Sequence, residues 1–333
     1  MIDDPTTQAA SLTGPASRRS GGAAAELARR RLFVISLRCG RLANRLSLFA
    51  TFVALAEEHG DRVINFTFHS YAHLFESTRS DIYCQYPPGG RRSWLDRIPG
   101  LGQLLRFTRL PYHAVRTAGV VNEQLALLGS SAITLRERRG ETLSVEGPEV
   151  QARIGKARLV FVIGFRFRAP DCLRRHAAKV RAYFRPMPEH EQASRRAVER
   201  LRQKADVVVG VHIRHGDYRN WRGGKYFFEV GRYAEWMREL ARQFSGTRVA
   251  FLVCSDEPRD AREFPGLSVG LAKGSPVEDI CALAECDYLV GPVSSFTQWA
   301  SYYGNKPLFQ LRDSELAIQR DKFRVCFLEE VPE

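Results

Sequence analysis

Between residues 207 and 311, short apolar runs alternate with segments of helical period, and no other feature constrains the fold as tightly. The runs are 207–213, 249–255, 288–291 and 306–311, with a weaker one ending at Val269. Helical patterns occupy 230–244, 276–284 and 296–303, and Gly246 and Gly304 follow the first and last of them. A strand covered on both faces reads as an unbroken apolar run. Strands that alternate with helices form a parallel sheet with helices on either side. The reading is an α/β protein, and a Rossmann-like half accounts for residues 207–311.

The N-terminal half opens in the same way. Residues 32–37 read as a buried strand, Gly40 and Asn44 mark a loop, and 46–58 predicts a helix stopped by His59 and Gly60. A second strand is expected over 63–68 and a third over 159–165, followed by a helix from about Asp171 to Phe184. Pro186 and Pro188 end that helix, and the polar helix 189–204 is the expected connection between the halves. Residues 133–146, with Gly140, alternate in the manner of a hairpin. Residues 91–110 interleave Trp94, Leu95, Ile98 and Leu101 with five arginines. Such a stretch suits packing on its own domain, lining an acceptor cleft, or peripheral contact with a membrane. The expected organisation is a disordered tail over 1–30, a Rossmann-like domain over 31–190 and a second one over 191–333.

Composition sets limits on this reading. The chain has 333 residues, 44% of them hydrophobic, which is enough for two cores and excludes a disulfide mini-protein or a mostly disordered chain. No run approaches the ~20 apolar residues of a bilayer span. The N-terminus lacks the basic start and apolar stretch of a secretion signal. Seven scattered cysteines form neither a disulfide framework nor a CxxC pair, so a reducing cytoplasm is expected. The net charge is +13, and 43 of the 50 basic residues are arginine. That balance favours an acidic partner: nucleic acid, anionic lipid or a phosphorylated small molecule. A solvated arginine-rich surface accounts for it equally well. No helix-turn-helix, zinc or RNA-binding signature points to nucleic acid.

Ligands of open α/β sheets bind beyond the carboxyl ends of the strands, so the residues after each strand are the candidates. His212, Arg214, His215, Gly216 and Asp217 follow the first run of the second half. Arg214 offers a fixed fork of donors suited to phosphate oxygens. A buried His beside a structural Arg–Asp pair is the plainer alternative. Ser255 and Asp256 end the next strand and suit a ribose hydroxyl or nucleotide edge, or a helix cap. Ser294, Ser295 and Phe296 open a helix after a strand, where amides and hydroxyls make an anion site or simply a cap. Arg38 to Arg45 brings arginines, Gly40 and Asn44 to a loop without a dinucleotide or P-loop signature. A diphosphate held between two domains would satisfy all four sets.

The run from His212 to Tyr218 resembles the His-x-Arg-x-Gly-Asp-Tyr motif of the bacterial alpha-1,2-fucosyltransferases (glycosyltransferase family 11), within the fucosyltransferase superfamily. Leu252 to Asp256 is similar to a second block, an apolar strand ending in Ser-Asp. Glu278 to Cys286 and Ser294 to Ala300 are similar to a third, and Gly40 to Arg45 to an N-terminal Gly-x-x-Gly-Asn-Gln loop. The likeness covers 31–60 and about 158–310. Family members often carry a second Arg where this chain has His215. Ala43, Arg45 and Val293 stand where Gly, Gln and Asn are usual.

The resemblance implies a GT-B-like fold of two facing Rossmann-like domains, with GDP-fucose as donor substrate and no metal or other cofactor. It implies inversion at the anomeric carbon and an oligosaccharide or glycolipid acceptor. Arg214, Asp217 and His215 would surround the reacting centre. His212, Arg214, Gly216, Ser255, Asp256, Asp279, Ser294, Ser295 and Phe296, with Gly40 and Asn44 from the facing domain, would hold the donor. A transferase of another GDP-sugar, or a non-catalytic protein on the same fold, is the alternative. A basic nucleic-acid-binding protein is a third reading.

Overall fold

A computed structural model describes residues 30–89, 110–125, 131–138 and 140–329. The first part of the chain forms β1 (Leu32–Ile35), α1 (Leu42–His59), β2 (Arg62–Asn65), β3 (Gln85–Tyr86), α2 (Leu110–Leu125), β4 (Ala132–Arg136), β5 (Leu143–Ser144), α3 (Pro148–Ile154), β6 (Leu159–Ile163) and β7 (Phe167–Arg168). Two short helices follow, α4 (Pro170–Arg175) and α5 (Ala177–Tyr183). The remainder forms α6 (Pro188–Arg202), β8 (Val207–Ile213), α7 (Val230–Arg242), β9 (Val249–Ser255), β10 (Val269–Leu271), α8 (Pro276–Glu285), β11 (Tyr288–Pro292), α9 (Ser295–Gly304) and β12 (Leu308–Leu311).

Ten of these strands make two five-stranded sheets, ordered β3-β2-β1-β6-β4 and β10-β9-β8-β11-β12, and β5 and β7 pair in a small sheet of their own. Every pairing in the second sheet is parallel. In the first, only β3 runs antiparallel, at the edge beside β2. Both orders reverse direction once, between β1 and β6 and between β8 and β11, which is the doubly wound arrangement. The fold is thus α/β and GT-B-like, with two parallel sheets facing one another. Central strands are buried on both faces, as their unbroken apolar runs require: Val208, Val209, Val211 and Ile213 of β8 are fully covered.

Helix α1 starts at Leu42, four residues before the position that periodicity suggests, because Gly40 turns the chain with a left-handed φ of 55°. Gly60, at φ 69°, ends it. The expected strand 63–68 shortens because Asn65 caps a 3-10 turn, its side chain accepting from the Thr67 N–H. The expected helix after residue 170 is broken at His176, between α4 and α5. The hairpin expected over 133–146 does not form. Strand β4 pairs in parallel with β6, and β5 pairs in parallel with β7 instead. Alternation fixes which face of a strand is buried but not which strand lies beside it. The expected tail falls almost wholly, and the amphipathic stretch 91–110 apart from Leu110, outside the described residues.

One buried cluster runs through both halves, from Phe33 and Phe49 near α1 to Trp299 and Tyr302 on α9. Phe184 meets Trp299 edge-on at 5.3 Å, and Arg181 Nε donates to the Tyr302 carbonyl at 2.9 Å. A second cluster fills the far face of β8–β9 beneath α7, around Trp236.

Candidate functional site

A cavity of about 780 Å³ lies where the carboxyl ends of the two sheets meet. Both reversal points open onto it. His212 lies at the end of β8, Arg214 and Asp217 follow it, and Ser294, Ser295 and Phe296 follow β11. Across the gap, Gly40 to Asn44 follow β1, and Phe165 and Arg166 follow β6. Such a crevice is where open α/β sheets bind ligands.

Arg214 is the centre of the second-sheet wall. Its Nη2 lies 2.6 Å from Asp217 Oδ1, its Nε lies 3.3 Å from Asp256 Oδ2, and its side chain is 16% exposed. Two carboxylates therefore fix the guanidinium while part of it faces the cavity. Asp256 also accepts the His215 N–H at 2.8 Å, which ties the end of β9 to the loop after β8. Gly216 fits that tie because a Cβ there would sit 2.8 Å from Asp256 Oδ2. Tyr218 locks the same loop to β11 by donating its hydroxyl to the Val293 carbonyl at 2.8 Å. Burial pushes that phenol up to about 12, so it stays a donor.

His212 stacks on Phe296, with ring centroids 4.7 Å apart and planes at 24°. Burial, reinforced by the Arg214 charge and opposed by Asp256, lowers its pKa to about 3. The imidazole is neutral at any physiological pH. Ser294 caps α9, its Oγ accepting from the Phe296 N–H at 3.1 Å. Ser255 Oγ accepts from the Glu257 N–H at 3.2 Å and from Arg259 Nε at 3.3 Å. The capping and bracing alternatives are thus real for both serines, and both still line the cavity. Asp279 enters from the first turn of α8, whose start is a Ser275–Glu278 capping box. Burial, with the neighbouring Glu278 charge, raises its pKa to about 7 against the pull of the Gly274 amide.

On the facing wall, Gly40 has no room for a side chain, since a Cβ would run into Asn44. Arg45, 4% exposed, anchors this loop. It donates to the Gly40 carbonyl at 3.2 Å, to the Thr67 carbonyl at 3.0 Å and to Ser70 Oγ at 2.8 Å, and lies over Tyr71. Glu137 accepts the backbone N–H groups of Phe165 and Arg166, which aims that turn at the cavity.

Eleven of the residues expected from the sequence therefore share one cavity: Gly40, Asn44, His212, Arg214, Asp217, Ser255, Asp256, Asp279, Ser294, Ser295 and Phe296. His215 and Gly216 are not among its walls. The His215 ring is buried, with Nε2 2.8 Å from the Phe228 carbonyl and its face 4.6 Å from Phe227. It braces the following loop and does not line the cavity. Sequence reasoning passed over Tyr71, Phe165, Arg166, Trp221 and Arg222, all of which line the cavity. The strand-end rule applied to β6 would have found Phe165 and Arg166. Among the described residues, no group of three or more His, Cys, Asp or Glu is placed to hold a metal ion. No described helix is long and apolar enough to cross a membrane.

Residues 188–316 match the family model for Glycosyl transferase family 11. No curated protein matches the chain. Among solved structures, a mutant of FUT1 from Arabidopsis thaliana in complex with GDP is similar with a TM-score of 0.53 at 14% identity, over 93% of this chain and 78% of that one. The fucosyltransferase NodZ from Bradyrhizobium follows with a TM-score of 0.48 at 16% identity, over 85% of this chain and 96% of that one. At such identities the likeness is one of fold. Over its second sheet the chain is similar to glycosyl transferase family 11, and its fold is similar to that of the FUT1 structure.

Proposed function

We propose that the protein is an inverting fucosyltransferase that moves fucose from GDP-fucose to a glycan hydroxyl, without a metal, with an alpha-1,2 linkage to a galactoside as the leading case. The division into an acceptor-side domain over 31–190 and a donor domain over 191–333 is part of the same reading. The observation that carries it is one cavity in which Arg214 and the start of α9 face the Gly40–Asn44 loop. GDP is the molecule bound in the similar FUT1 structure, and here it supports the choice of donor.

Fucosyl transfer builds positive charge on the sugar and negative charge on the departing diphosphate. A group already aimed at that negative charge need not reorganise during the reaction. Arg214, held by Asp217 and Asp256, is such a group, and the first-turn amides of α9 add their dipole. Arg41 brings a further cation from the facing loop. Asp256 and Asp279 flank the nucleoside. The acceptor hydroxyl needs only weak base assistance at an oxocarbenium-like centre. Asp217 is the carboxylate assigned to it, since it is exposed in the cavity whereas the His212 ring is buried against Phe296 and His215 faces away.

Titrating GDP, GDP-fucose, GDP-mannose and UDP-glucose by calorimetry, with donor hydrolysis followed by NMR, tests the reading. GDP and GDP-fucose are expected to bind best. Arg214→Ala is expected to lower transfer by at least ~100-fold, the loss typical of a removed charge-stabilising donor, with an unchanged circular dichroism spectrum. A preference for UDP-glucose, or full activity in a folded Arg214→Ala variant, overturns it.

A further inference from the structure

The loop that carries Arg214 continues outward as a stack of alternating rings and guanidinium groups. Arg214 lies over Tyr218 with 5.6 Å to the ring centroid. Tyr218 stacks on Trp221 at 4.9 Å and 28°. Arg222 lies over Trp221, again at 5.6 Å. Tyr218, Trp221 and Arg222 all line the cavity together with Arg214. The stack is anchored at its centre by the Tyr218–Val293 hydrogen bond, so the position of Trp221 and Arg222 relative to Arg214 is built in.

The two outer residues differ from Arg214 in one respect. Arg214 is shared between two carboxylates, and Arg166, across the gap, is paired with Glu137 at 3.5 Å. Arg222 makes no ion pair and Trp221 no indole hydrogen bond among the described residues. The backbone holds Arg222 at φ 53° and ψ 39°, followed by Gly223 and Gly224 at φ 66° and 78°. A left-handed non-glycine residue is uncommon. The Trp221 and Arg222 side chains present apolar ring surface together with hydrogen-bond donors and no acceptor of their own. That chemistry suits a sugar ring bearing an anionic group.

We propose that Trp221 and Arg222 form an acceptor subsite that selects a glycan carrying an acidic substituent, a carboxylate or a phosphate, next to the sugar that receives fucose. The proposal rests on the reading of the cavity as a GDP-fucose transferase site. Trp221 contacts the sugar and offers its N–H. Arg222 takes the charge in place of the ion pair it lacks. Neutral glycans bind through Trp221 alone and therefore more weakly.

The test compares three acceptors with the full-length protein: a neutral galactosyl disaccharide, the same galactose linked to glucuronic acid, and a galactosyl disaccharide phosphate. Each acidic acceptor is measured separately, so the carboxylate and phosphate arms are distinguished. At least one acidic acceptor is expected to show a KM about tenfold below that of the neutral one, with the difference shrinking as salt rises. Arg222→Gln is expected to raise the KM for that acidic acceptor about tenfold and to close the gap to the neutral one. Arg222→Lys restores part of it. Arg248→Gln removes the same charge from the opposite end of the second sheet, where Arg248 pairs with Asp206 on the surface, and is expected to change nothing. Equal KM values for all three acceptors, or equal effects of Arg222→Gln on neutral and acidic acceptors, overturn the subsite. GDP binding and GDP-fucose hydrolysis are measured first without acceptor. Their absence overturns the transferase reading itself, and the subsite with it.

Discussion

Asp279 shows how a single side chain can be read through its proton. Burial lifts its pKa from the ordinary 3.8 to about 7. Between about pH 4 and 7 the unfolded chain has lost a proton that the folded chain keeps. Stability therefore falls as pH rises through that window, and Asp279→Asn is expected to remove this slope. Guanine carries a ring N–H and an amino group on one edge, and an ionised carboxylate accepts from both. Binding should thus pull the Asp279 pKa down. Calorimetric titration of GDP at pH 6.5, in two buffers of different ionisation enthalpy, is expected to show proton release that Asp279→Asn abolishes. Proton uptake, or no linkage, would remove Asp279 from the nucleotide. Neutral His212 makes the converse case: the folded imidazole stays uncharged down to about pH 3 while the unfolded one takes a proton below about 6.5, so its share of stability rises with pH between those values.

At the scale of elements, the site depends on how closely α8 and α9 approach, since the first brings Asp279 and the second Ser294 to Phe296. Gly304, the last residue of α9, lies against the backbone of Ala284 on α8, and a Cβ there would collide with the Ala284 carbonyl. A carbonyl on a helix backbone cannot step aside as a flexible side-chain tip does. Gly304→Ala is expected to destabilise the protein by about 3 kcal/mol, the upper part of the range for overpacking, as read from the urea midpoint at constant m. It should weaken GDP binding together with stability. Arg45 plays the matching part across the cleft, where it ties the loops after β1 and β2 together.

For the whole molecule, the two sheets stand apart at the cavity but share a core behind it. Tyr302 of α9 donates its hydroxyl to the Leu173 carbonyl at 3.3 Å, and the buried cluster continues from α1 to α9 without a break. The chain is therefore expected to unfold in one calorimetric transition, although its architecture is bipartite. GDP at a hundredfold excess over its Kd should stabilise it by about 2.7 kcal/mol, moving that single transition upward as a whole. Two transitions, only one of them moved by GDP, would mean that the shared core does not couple the halves.

The apolar runs and their spacing determined the α/β class, the second sheet and the strand ends at which Arg214, Asp256 and Ser294 lie, because a parallel sheet obliges each buried strand to declare itself in sequence. The motif around His212 determined the family likeness. The partner of β4, the break at His176 and the inward turn of His215 were not legible. Each depends on which neighbour lies alongside, and a one-dimensional pattern records burial without recording the neighbour. The tertiary structure alone decided that His215 faces Phe228, that Glu137 aims Phe165 and Arg166 at the cavity, and that Trp221 and Arg222 extend the Arg214 stack to its rim. These are contacts between residues far apart in the chain or around a left-handed turn, where geometry has no periodic trace in the sequence.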